Sequence, residues 1–157
     1  MSRCIEGGGA RAILLGLSGL VIGLSAASPA RAIVPFTQEA TARGLNYVMQ
    51  NYPVTSGIYG FGITFADLDG DGDQDVVLAG AADGRVGVYE NDGTGHFTSH
   101  SLTSGIPLLP QASGVSAADY DGDGDTDLYL MQIGLANVLM RNDGGFTFTD
   151  VTIEAGV

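Results

Sequence analysis

Lysine is absent from this chain, and its six basic residues are all arginines set against 18 acidic residues. With a formal net charge of −12 it has no basic face to grip a phosphate backbone or an anionic bilayer. The imbalance argues against nucleic acid and membrane surfaces as partners, and for cations. Cysteine occurs once, at Cys4, so no intrachain disulfide can form. The one long apolar run, residues 12–27, falls short of the ~20 residues that span a bilayer and is interrupted by glycines and serines. Gly-x-Ser-x-Gly, His-Glu-x-x-His and Gly-x-x-x-x-Gly-Lys are all missing. His96 and His100 are the only histidines and read as outward-facing loop residues, while Ser113 and Ser116 have no His–acid partner beside them. No catalytic residue is assigned, and an enzyme is not expected.

What is present begins with Arg3 and Arg11, the apolar run, and the small-residue exit Ser28-Pro29-Ala30-Arg31-Ala32. A basic start, an apolar middle and an Ala-x-Ala end describe a secretory signal peptide over residues 1–32. Cleavage after Ala32 leaves 125 residues that keep 17 acidic residues and three arginines, for a net charge of −14, with no cysteine. The expected location is secreted, extracellular or periplasmic, with no membrane span after cleavage. An acidic exported chain without disulfides needs another source of stability, and bound metal is the candidate.

The rest is repetitive. Phe61-Gly-Ile-Thr-Phe-Ala-Asp-Leu-Asp-Gly-Asp-Gly-Asp-Gln-Asp75 answers Ser113-Gly-Val-Ser-Ala-Ala-Asp-Tyr-Asp-Gly-Asp-Gly-Asp-Thr-Asp127 at an offset of 52. Asn91-Asp92-Gly93 answers Asn142-Asp143-Gly144 at an offset of 51, and so does Phe97-Thr98 with Phe148-Thr149. A weaker element, Phe-Thr followed by Gly and an aliphatic, recurs at Phe36 with Gly44, Phe97 with Gly105 and Phe148 with Gly156. Phe61, Ile63 and Phe65 alternate with smaller residues at the period of a strand. Further strands are expected at Val76–Ala79, Val86–Tyr89, from His96 or Phe97, and at Val115–Ala118, Leu128–Met131, Val138–Met140 and Phe146–Val151. Four short strands in about 50 residues fit one blade of a β-propeller. A helix is expected only around Gln38 to Gln50, and Tyr120 is expected to pack between blades.

Within each repeat five aspartates alternate over nine residues: Asp67, Asp69, Asp71, Asp73 and Asp75, then Asp119, Asp121, Asp123, Asp125 and Asp127. Calcium is a hard cation that takes six to eight oxygens, and alternate carboxylates on a curled loop converge on one point. Gly72 and Gly124 hold the sixth position, where the backbone must turn sharply. The side chains of Asp67, Asp69, Asp71 and Asp75 and the carbonyl of Asp73 are assigned to one site. Asp119, Asp121, Asp123 and Asp127, with the carbonyl of Asp125, form the other. An EF-hand is excluded because position twelve is Leu78 or Leu130, not glutamate, and because β-type alternation follows both loops. Magnesium keeps more of its waters and uses fewer carboxylates, so two calcium ions are expected.

These residues resemble the FG-GAP/VCBS repeat family of calcium-binding propeller blades, found also in integrin α-chain heads. Phe61-Gly62 and Gly80-Ala81 correspond to the two halves of the motif that names the family; the second copy has Ser113-Gly114 and no Gly-Ala step. Residues 137–157 are similar to repeats of secreted bacterial proteins related to cartilage acidic protein. The resemblance implies an all-β fold and extracellular binding or adhesion to a protein or glycan. It divides the chain into a linker or strand segment at 33–60, a first repeat at 61–112 and a second at 113–157 that ends where a third begins. Two repeats cannot close a ring, so the expectation is a fragment of a longer propeller or, less favoured, copies that associate through open strand edges. Two alternatives stay open: a piece of a propeller-type polysaccharide-acting enzyme, and a non-functional truncated propeller.

Overall fold

β-Branched and aliphatic residues crowd the stretch after each acidic loop, where they favour an extended backbone. The computed structural model describes residues 37–49 and 61–157, and in it the stretch that follows each acidic loop is a strand. The expected signal peptide, and the parts of the 33–60 segment before 37 and after 49, lie outside the described residues. The first repeat contributes β1 (Gly62–Ala66), β2 (Asp75–Ala79), β3 (Gly87–Asn91) and β4 (Phe97–Ser99). The second contributes β5 (Ala112–Ala118), β6 (Asp127–Gln132), β7 (Val138–Asn142) and β8 (Phe148–Asp150). Each set forms its own four-stranded antiparallel sheet in chain order, so the all-β class and the paired blade-type sheets are as expected, and neither closes into a ring.

Residues opposed across an antiparallel ladder share a face. In the first sheet Ile63 opposes Leu78, and Phe65 opposes Val76, which in turn opposes Tyr89; these form its first face. Gly62, Thr64, Val77, Ala79 and Val88 lie on the second. That second face packs on the first face of the other sheet. Val77, Ala79 and Val88 share one buried cluster with Val115, Leu128, Leu130, Met140 and Phe148. The closest approach is at β1 and β5, where a Cβ on Gly62 would lie 2.6 Å from the Cα of Gly114. Only glycine fits there.

The first face of the first sheet is covered along its outer half. Val76, Leu78 and Tyr89 lie beneath Leu45 and Tyr47, with Phe97 of β4 packed beside them, while Ile63 and Phe65 on β1 are 55% and 59% exposed. This covering segment corrects the expected helix around Gln38 to Gln50, as far as Met49. Residues 40–44 form a turn, with the Leu45 N–H donating to the Ala40 carbonyl, and residues 45–48 lead without regular structure to an isolated bridge between Met49 and Ala81. Docking overrides helix propensity here. The Tyr47 hydroxyl donates to the Arg85 carbonyl at 2.9 Å and accepts the Ala81 N–H at 2.8 Å, which ties the segment to the β2–β3 connection.

The weak Phe-Thr/Gly element is a joint between connecting turn and sheet. The Phe97 N–H donates to the Arg43 carbonyl, and the Phe148 N–H to the Ser104 carbonyl, each at 2.7 Å. A short helix, α1 (Thr152–Ala155), follows β8 and is capped by Gly156 in the left-handed conformation. The strand expected from Phe146 is shorter than foreseen, because Phe146 itself has φ of 59° and belongs to the preceding turn.

Candidate metal centre

Each acidic loop joins the first two strands of its sheet, with residues 67–74 between β1 and β2 and residues 119–126 between β5 and β6. The loops keep their shape through carboxylates that accept from backbone N–H groups ahead of them. The Asp67 carboxylate accepts from Gly70 at 2.8 Å and from Gly72 at 3.0 Å. Asp69 accepts from Asp71 at 3.2 Å, and Asp71 from Asp73 at 2.8 Å. In the second loop Asp119 accepts from Gly122 at 2.7 Å and Gly124 at 3.1 Å, Asp121 from Asp123 at 3.3 Å, and Asp123 from Asp125 at 2.9 Å. Gly72 and Gly124 have φ of 94° and 98°, with open space around each Cα, so it is the backbone angle that requires glycine at position six.

The ladders bring carboxylates together. Oxygens of Asp67, Asp69 and Asp71 lie within 4.8 Å of one another, as do those of Asp119, Asp121 and Asp127. Asp75 and Asp127, at position nine, are buried and fasten the loop to the sheet. Asp75 accepts from the N–H groups of Leu68 (2.9 Å) and Asn91 (2.8 Å), and Asp127 from those of Tyr120 and Asn142, both at 2.8 Å. Asp127 is thus in the converging group of its loop, Asp75 is outside that of the first, and Asp123 is outside that of the second. The Asp73 carboxylate is turned toward Gly93 in the β3–β4 turn, and Asp125 is exposed.

Burial raises the Asp69 carboxyl, opposed by the Asp71 N–H and reinforced by the charges of Asp71, Glu90 and Asp67. Asp75 is raised by burial as well, against the lowering effect of the Asn91 and Leu68 N–H groups. Negative charge at Asp69 and Asp75 is therefore disfavoured, and a nearby cation would offset that. The clustered donors are all oxygens, which suits a hard divalent ion.

The loops differ at position two. Leu68 is 2% exposed and inserts into the core between the sheets. Tyr120, its counterpart, is 41% exposed, which corrects the expectation that it packs between blades. No third sheet lies on that side among the described residues, so the same position that is interior in the first repeat is surface in the second. Asn142 marks the same asymmetry: its side-chain amide donates to the Leu68 carbonyl across the sheet interface at 2.8 Å and to Thr126 in its own repeat at 3.1 Å. Asn91, its counterpart, donates to Gln74 within its own repeat. His100 also departs from expectation. It stacks on Phe146 of the second repeat, centroids 4.4 Å apart and planes 9° from parallel, and bonds Glu90 at 2.7 Å, whereas His96 is exposed. Nothing in the spacing separated the two.

Residues 67–130, from the first aspartate of one loop through the second loop into β6, match the family model of the FG-GAP-like repeat. No curated protein and no solved structure matched the chain.

Proposed function

Starting from the match of residues 67–130 to the FG-GAP-like repeat, we propose that this chain is an exported binding module. In this reading each acidic loop takes one calcium ion that serves structure, and the sheets present a surface to an extracellular protein or glycan. The observation that carries the reading is the repeated ladder: the same four carboxylate-to-N–H bonds in both loops, gathering three carboxylates within 4.8 Å in each. Like charges drawn this close repel unless a cation offsets them. Asp67, Asp69, Asp71 and Asp75, with the Asp73 carbonyl, would hold the first ion; Asp119, Asp121, Asp123 and Asp127, with the Asp125 carbonyl, the second. Calcium, when bound, supplies positive charge and fixes the loop; no residue is assigned a chemical step. Export rests on the signal-like N-terminus, and no helix among the described residues is long and apolar enough to cross a membrane.

Calorimetric titration of the 33–157 chain should find two calcium equivalents, Asp67→Ala should remove one, and Asp67→Ala with Asp119→Ala both. Undiminished uptake by the double variant would sink the metal assignment. Partner binding is checked on a glycan and extracellular-protein array with and without calcium. Calcium-dependent capture supports the module reading, and turnover of a captured polysaccharide would replace it with the enzyme alternative.

A further inference from the structure

We infer that Asn142 is a positioning residue for the metal loop of the other repeat, so that the two calcium sites are coupled and unequal. The inference rests on the calcium reading above and adds a route between its sites. The Leu68 peptide lies between two candidate ligands, Asp67 and Asp69, and is held on three sides. Its N–H is bound by Asp75, its side chain is sunk in the core, and its carbonyl accepts from Asn142 at 2.8 Å. Asn142 is itself fixed from the second loop: its backbone N–H donates to Asp127 Oδ1, and Asp127 Oδ2 accepts from Tyr120, the residue at position two of that loop. Three hydrogen bonds therefore run from the first loop to the second through the side chains of Asn142 and Asp127, each 1% exposed.

The second loop has no such support. Its Tyr120 N–H is held by Asp127, but the Tyr120 ring is exposed and no Asn from another repeat reaches the Tyr120 carbonyl among the described residues. A loop held in its binding shape before the ion arrives loses less freedom on binding. The first site is thus the tighter of the two. Outer groups that orient metal ligands typically carry about 10–100-fold in affinity, and here such a group is lent by the neighbouring repeat. Coupling of this kind is reciprocal, so loading either loop favours the other.

The test isolates the first loop by removing Asp119 and Asp121 (both to Ala) and titrates calcium by calorimetry. Adding Asn142→Ala should weaken the remaining site by about tenfold or more. In the converse background, with Asp67→Ala and Asp69→Ala, Asn91→Ala should leave the second site unchanged. Because Asn142→Ala could loosen the whole interface, a second measurement uses intact Asn142. Its side-chain amide resonances should shift when calcium is added to the protein whose only working loop is the first. Affinity at the first loop within twofold of its parent in a folded Asn142→Ala protein, or unmoved Asn142 resonances on calcium loading, would overturn the coupling while leaving the two sites standing. No calcium uptake by the unsubstituted chain would overturn the calcium reading and the coupling with it.

Discussion

Tyr47 joins a segment with no regular structure of its own to the first sheet, and its ionisation reports that docking. Burial pushes the phenol up to about 12 from its ordinary 10.0, with a lowering contribution from the Ala81 N–H it accepts. A group whose folded pKa is raised stabilises the fold fully below its unfolded value and loses that contribution as pH rises through the folded one. The Tyr47 contribution should therefore fade between about pH 10 and 12, seen as tyrosinate absorbance that rises together with loss of the fold. Tyr47→Phe removes both hydrogen bonds and leaves the Ala81 N–H unpaired, at a cost of roughly 1–3 kcal/mol in urea denaturation. At this scale the sequence was legible in the loop backbone, where Gly72 and Gly124 at position six take the positive φ that the sharp turn requires. It was least legible at Tyr120 and His100. Whether a side chain is buried there depends on which sheet lies opposite, and no local spacing encodes that.

Among elements, the second face of the first sheet depends on a residue without a side chain. Gly62→Ala would place a methyl 2.6 Å from the Gly114 Cα. Backbone offers no rotamer through which to yield, so the sheets must part, and a loss of about 1–3 kcal/mol is expected. A lower midpoint for Gly62→Ala than for Gly122→Ala, whose Cβ would meet open space, checks this by thermal denaturation. The first of these needs room, the second only a positive φ of 82°. Strands were readable because each acidic loop is followed by a run such as Val76-Val77-Leu78, whose side chains are buried on both faces. The segment at 37–49 was not. Its Ala, Leu and Gln content satisfies a helix as well as a turn, and the hydrogen bonds that decide between them come from Arg85 and Ala81, more than 30 residues away.

For the whole molecule, charge sets the response expected from the proposed calcium binding. Seventeen carboxylates and three arginines over residues 33–157 leave the metal-free form self-repelling. Chelation should lower the melting temperature, and raised sodium chloride should recover part of that loss by screening, since the Debye length falls to roughly 3 Å at 1 M salt. Equal melting curves with calcium and with chelator would remove the stabilising role of the ion. Calcium binding only the folded form stabilises in proportion to the logarithm of its concentration, which a titration of melting temperature reads directly.

The principal buried cluster is built from both sheets at once: Val77 and Val88 from one, Leu128, Leu130 and Met140 from the other. Neither ribbon encloses an interior by itself on that side, so severing the chain between Gln111 and Ala112 would strand oily surface on both pieces. The two repeats are therefore expected to unfold together, and damage to either should be felt by the pair.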